Sequence, residues 1–168
     1  MTDIQEVINE ILKFSPNVLG LSEGVAEDKI NAFEKQHNLV LPDDYKILLR
    51  RTNGLSLVGT VVFGIYDDAV SSSLGGSYNI EHYEVGNEMP MHLVPFSPDG
   101  AGNHYCFDTN KFNRQSCEIV FWQHDFYYDE GDLPEVVNNS FAEWAQEVLI
   151  DWTLEDHDYE GNERKQAF

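Results

Sequence analysis

Apolar positions recur at helical spacing over the first third of the chain. Ile4, Val7, Ile8, Ile11 and Leu12 fall on one face of a helix. Thr2 and Gln5 stand at capping-box spacing before it, and Ser15-Pro16-Asn17 stops it. A second helix is expected over Ala26–His37, with Ile30, Phe33 and His37 as its apolar stripe and Asn38 at its end. A third begins with Pro42 at the first helical position, where the missing N–H costs nothing. Asp43 and Asp44 favour its positive start, and Arg50 and Arg51 its negative end. Tyr45, Leu48, Leu49 and Thr52 form its inner face, and Asn53-Gly54 closes it with residues that tolerate left-handed backbone.

The pattern then shortens. Leu55–Val58, Thr60–Tyr66, Leu93–Phe96, Tyr105–Asp108 and Glu118–Gln123 are β-branched or aromatic runs bounded by Gly, Pro, Asn and Asp, and read as strands. Pro95 places its strand at a sheet edge or on a bulge. Residues 67–91 read as a long connection with one short strand near Tyr78–Tyr83. A last helix is expected over Phe141–Trp152, with Ser140 and Glu143 at capping-box spacing. Phe141, Trp144, Ala145, Val148, Leu149 and Trp152 line one of its faces. Helices, then strands, then a helix predict an α+β fold: one domain over residues 1–154, its mostly antiparallel sheet flanked by the N-terminal helices and the C-terminal helix. Residues 155–168 read as a flexible acidic and polar tail.

A length of 168 residues suits one domain, and 42% hydrophobic residues suffice for a core. Charge changes the picture more. The chain carries 30 acids and 10 bases, a formal net charge of −20. Residues 52–163 hold 21 of the acids and only two bases, Lys111 and Arg114. Such a surface repels phosphate backbones and anionic lipid, so direct nucleic-acid and membrane binding are disfavoured and basic partners favoured. The start has no basic region followed by an apolar one, so no signal peptide is read there. The longest apolar stretch, Leu57–Tyr66, is too short to span a bilayer. Two cysteines, Cys106 and Cys117, read as reduced thiols of a cytoplasmic protein.

Other chemistry finds little support. His104 and Cys106 share a strand face, and Cys117 and His124 complete a possible zinc set, but no Cys-x-x-Cys is present. Asp125–Asp132 lacks the alternating ligands and closing Glu of a calcium loop. There is no nucleophile elbow, and Gly75-Gly76 and Gly100-Ala101-Gly102 lack the endings of phosphate loops and read as turns. No catalytic residue, metal or cofactor is expected.

Leu41–Gly54 reads LPDDYKILLRRTNG, and Phe96–Asp108 reads FSPDGAGNHYCFD. With the preceding helix carrying Ile30, Phe33 and Glu34, and the late SFAEWAQEVL, these segments resemble the SUKH superfamily over about residues 22–152. That superfamily includes yeast cell-wall-assembly regulators and bacterial toxin-immunity proteins. The resemblance implies an α+β domain without catalytic chemistry that binds another protein. In bacteria it implies neutralisation of a toxin, often a nuclease; in fungi it implies a regulatory module. The Leu41–Gly54 motif itself reads as structural, with Tyr45, Leu48 and Leu49 in the core.

The acids suggest where such binding occurs. Glu143, Glu147, Asp151 and Glu155 recur every four residues opposite the aromatic face of the last helix. Like charges at this spacing cost roughly 0.2–0.5 kcal/mol per pair, and no base offsets them. The preceding loop adds Asp125, Asp129, Glu130, Asp132 and Glu135, interleaved with Phe126, Tyr127 and Tyr128. Aromatics among acids suit an interface in which rings anchor and charges steer. These eight loop residues, with Glu143, Glu147 and Asp151, are the expected contact set for a basic toxin, bound by occlusion. A monomer is favoured. The alternative is a regulatory protein-binding module without a toxin partner.

Overall fold

The computed structural model describes residues 2–165. Three helices open the chain: α1 (Ile4–Ile11), α2 (Glu27–His37) and α3 (Asp43–Arg51). A two-residue strand β1 (Leu19–Gly20) lies between the first two. The N-cap of α1 is Asp3 rather than Thr2. Its carboxylate accepts from the Gln5 and Glu6 amides, and an ionised acceptor suits a helix start. Helix α2 ends on Asn38 in left-handed geometry, as its sequence predicts. Pro42 is the N-cap of α3 rather than its first residue, and Gly54 has the positive φ, 75°, that turns the chain back.

Strands β2 (Leu55–Leu57) and β3 (Thr60–Val62) form a small antiparallel sheet with β1. Strands β4 (Leu93–Pro98), β5 (His104–Asn113), β6 (Ser116–Trp122) and β7 (Glu135–Asn138) make a second antiparallel sheet in that order. Pro95 satisfies both of its expectations: β4 is an edge strand, and its register shifts between Pro95 and Ser97. The bulge frees the Phe96 carbonyl, which accepts from the Phe63 amide at 2.8 Å and joins the two sheets.

Residues 67–91 differ from expectation. They hold helix α4 (Leu74–Asn79), continued by a π-helical turn over Ile80–Glu84, and the strand expected near Tyr78–Tyr83 is helical. Gly75-Gly76, read from the sequence as a turn, therefore lies in the first turn of a helix. The C-terminal helix starts as α5 (Phe141–Trp144), widens to a π-helix over Ala145–Asp151, and ends as α6 (Trp152–Asp156). The wider turn takes an extra residue and rotates everything after it. Ile150 and Thr153 face inward, while Trp152, expected on the buried face, is 45% exposed.

The larger sheet is covered on both sides. One face carries Val94, Phe96, Phe107, Cys117 and Ile119, against α3 and the C-terminal helix, with α1 packed on those helices in turn. Here Phe96 stacks on Phe107 at 4.2 Å, and Tyr45, Phe141 and Trp144 close round them. Each such side chain contributes roughly 1.5–3 kcal/mol by leaving water. The other face carries Leu93, Cys106, Val120 and Trp122 beneath Met89.

Beyond α6 the expected tail makes contacts of its own. The Tyr159 ring lies 4.8 Å from Phe14, its hydroxyl donates to Glu10, and its carbonyl accepts from the Ser15 amide at 2.8 Å. Residues 166–168 of that tail lie outside the described residues. No helix among the described residues is long and apolar enough to cross a membrane.

Candidate functional site

The acidic–aromatic loop connects β6 to β7 and is fixed from two sides. Tyr128 folds inward, stacks on Trp122 at 4.7 Å, and its hydroxyl accepts from the Gln123 amide at 3.1 Å. Phe126 packs against Tyr128 at 4.7 Å. From the segment after α4, the Asn87 amide donates to the His124 and Phe126 carbonyls at 3.1 and 2.9 Å. These ties leave Asp125, Asp129, Glu130 and Asp132 exposed, with Tyr127 72% and Leu133 80% open to solvent. Glu135 follows at the start of β7, opposite Phe121.

The expected contact residues thus have different places. Phe126 and Tyr127 are exposed rings, whereas Tyr128 is the loop's anchor. On the C-terminal helix, Glu143 accepts from the Asn139 amide at 2.7 Å, and Ser140 accepts from the Glu143 amide at 3.0 Å. Glu147 accepts from the Asn138 side chain at 3.2 Å, and Asp151 from Gln146 at 2.9 Å. Glu143 and Glu147 therefore hold the β7-to-α5 turn as well as carrying charge. They sit at the far end of β7 from the loop acids, so loop and helix form two acidic regions joined by that strand. Asn87 and Leu133 escaped sequence reasoning. Asn87 falls in the stretch read as a connection, and Leu133 breaks no periodic pattern.

Beneath the loop lies a polar seat. Asn103 Oδ1 accepts from the His124 amide at 3.1 Å and from its Nδ1 at 2.8 Å. Asp99 orients Asn103 through its amide and side chain at 3.0 and 2.8 Å. Burial works against the Asp99 charge, but the N–H groups of Ala101 and Asn103 outweigh it and hold its carboxyl below the ordinary range. Gly102 is required here: its φ is +95°, and a Cβ would meet the His124 ring at 2.9 Å. Behind these groups Glu81 stands 3.9 Å from His104. Burial pushes Glu81 up and His104 down, so both are held toward their neutral forms.

The residues considered as a zinc set do not come together. Cys106 lies on the sheet face with Met89 and Trp122, and Cys117 on the opposite face. Burial pushes both thiols up, and the thiolate is the form that attacks or ligates. Among the described residues no three His, Cys, Asp or Glu side chains are placed to share a metal ion.

The fold resembles a solved structure described as a protein from Pseudomonas syringae pv. tomato, with a TM-score of 0.64 over 88% of this chain and 98% of that one. Identity to it is 19%, so the likeness is one of fold. Residues 24–147 match the SMI1 / KNR4 family (SUKH-1), a span that runs from the turn before α2 to the π-helix and contains both motifs read from the sequence. With that match over most of its length, the chain belongs to the SMI1 / KNR4 (SUKH-1) family.

Proposed function

We propose that this protein is a non-enzymatic immunity protein of the cytoplasm. It binds a basic toxin domain, such as a nuclease, and occludes the surface that the toxin needs. Family membership supports the coarser reading, an immunity protein or SMI1-like binding module. The observation that carries the finer one is the β6–β7 loop. Asp125, Asp129, Glu130 and Asp132 are presented with Phe126 and Tyr127 on a seat fixed by Tyr128 and Asn87. A fixed loop loses little conformational freedom on binding. The net charge of −20 draws a cationic partner over distance.

A nuclease holds nucleic acid through a positive surface, and an acidic inhibitor covers that surface without turnover. The test is binding to the purified product of the adjoining gene at low and moderate salt. Tight one-to-one binding whose association rate drops about tenfold or more with salt is the expected result. No binding would favour a regulatory module without a toxin partner, a reading that family membership also supports.

A further inference from the structure

Val40, Tyr83, Met91 and Phe112 are large apolar side chains exposed to solvent, and all four line one groove of about 740 Å³. Tyr78 and His37 also line it. The walls come from the end of α2, the π-turn after α4, the approach to β4 and the far half of β5. Gln36, Asn38, Asn79, His92 and Thr109 supply polar edges, and among the described residues no Asp, Glu, Lys or Arg lines the groove itself, although Asp68 and Asp108 stand behind His37 and His92 at 3.3 and 3.9 Å. An apolar side chain seated against Val40, Tyr83, Met91 and Phe112 removes apolar surface from water, while the polar edges stay open to solvent or to polar groups of the partner. Exposed apolar clusters of this kind mark interaction sites.

We propose that this groove is the anchor site for the same basic protein that the acidic loop attracts, and that it takes an apolar or aromatic side chain of that partner. The inference rests on the functional reading above. Its further support is continuity between the two surfaces. Tyr83 and Met91 border the groove, and Asn87, between them in sequence, holds the acidic loop through His124 and Phe126. Phe112 pairs with Cys117 in β6, and the loop leaves β6 after Trp122, so the two surfaces are about 17 Å apart along that strand. A standard interface of roughly 800 Å² per partner is wide enough to span that distance. Charge complementarity selects a basic partner at encounter, and the exposed apolar side chains of the groove then hold it. The acids govern association and the groove governs residence.

The experiment is a kinetic comparison with the purified product of the adjoining gene, using Met91→Ser and Phe112→Ser singly and together. Urea unfolding checks that these surface changes leave the fold intact. The expected result is dissociation about tenfold or more faster, with association and its salt dependence unchanged. Charge reversal in the acidic loop serves as the reciprocal control, slowing association instead. Unchanged dissociation of the groove variants from a complex that forms would overturn the anchor and leave the functional reading standing. Absence of any complex with the unaltered protein would remove the functional reading and the anchor with it. If the groove variants instead altered the sedimenting mass of the protein alone, the occupant would be a second copy, and the proposal would be wrong.

Discussion

Asp44 accepts a hydrogen bond from the Ala142 amide at 3.0 Å, across 98 residues of sequence. The same carboxylate accepts from the Tyr45 amide at 3.0 Å, and Ser116 stands near enough to lower its pKa. Ser116 Oγ in turn accepts from the Phe141 amide at 3.2 Å. One buried carboxylate therefore caps its own helix, α3, and satisfies an orphan N–H at the start of α5. An acid read from sequence as a helix-dipole partner is also a tertiary staple.

Asp44→Asn places an amide N–H₂ against groups that already donate. It should cost about 1–3 kcal/mol in urea unfolding. The pH dependence has a definite sign. Burial raises the Asp44 carboxyl above 3.8, with Ser116 and the hydrogen bonds from Ala142 and Tyr45 only partly opposing it. The folded state then holds this proton more tightly than the unfolded chain. The resulting stability is full below the unfolded value and is lost as pH rises through the folded one. The gap between native and D44N stability should therefore widen as pH falls from neutral through the folded value toward 3.8. A gap that narrows on acidification would mean that the carboxylate is held charged.

Tyr45 makes the second buried polar tie, its hydroxyl donating to the Phe63 carbonyl at 2.5 Å. That bond joins α3 to the end of β3, while the ring packs on Phe107 and Phe141. Burial drives the phenol far above its ordinary range, so it stays a donor at every working pH. Tyr45→Phe keeps the ring and leaves the carbonyl without its donor, at a cost of about 1–3 kcal/mol. Thermal or urea unfolding measures it. A neutral result would show that water replaces the hydroxyl.

Neighbouring rings of the acidic loop should behave oppositely. Tyr127 is 72% exposed, so Tyr127→Ala should leave stability within about 0.5 kcal/mol. Tyr128→Ala removes the ring stacked on Trp122 and the acceptor of the Gln123 amide, and should cost about 1–3 kcal/mol. Unfolding curves separate the two. In binding, Tyr127→Ala should weaken the complex on its own, and Tyr128→Ala through a loosened loop.

Charge reversal at Asp129, Glu130 and Asp132 should leave the fold intact, since all three are exposed. Association with the proposed toxin partner at low salt should slow about tenfold or more, and the difference should shrink as salt is raised. Stopped-flow mixing reads both. An unaltered rate would move the encounter surface away from this loop.

Much of this architecture is legible in the sequence because α1, α2 and α3 each bury a single stripe, and because Asp3 starts α1 and Asn38 ends α2 as such residues do. Helix α4 is not. Its LGGSYN sequence has two glycines, and Leu74 to Tyr78 are all buried, so no amphipathic stripe exists to be seen. The glycines are there because the chain passes close by: a Cβ on Gly76 would meet the Val70 carbonyl at 2.0 Å. Tertiary packing overrides the poor helix propensity. Strand β7 is equally silent, being four residues at a sheet edge. The acidic loop announces itself by composition. The inward turn of Tyr128 does not, because it depends on Trp122 in the preceding strand. The groove draws residues from distant segments, none of which carries a motif.

The C-terminal helix gives the sharpest contrast between pattern and packing. A plain 3.6-residue period puts Trp152 on the buried face with Val148 and Leu149. The π-helix over Ala145–Asp151 shifts the register, so that Ile150 is 1% exposed and Trp152 lies outside. Ile150→Ala should then cost about 2–5 kcal/mol, as for a filled core position. Trp152→Ala should cost about 1 kcal/mol or less, despite the larger side chain removed. Paired urea titrations decide the matter. The reverse order of costs would mean that the helix keeps a regular α period in solution, with Trp152 packed in the core.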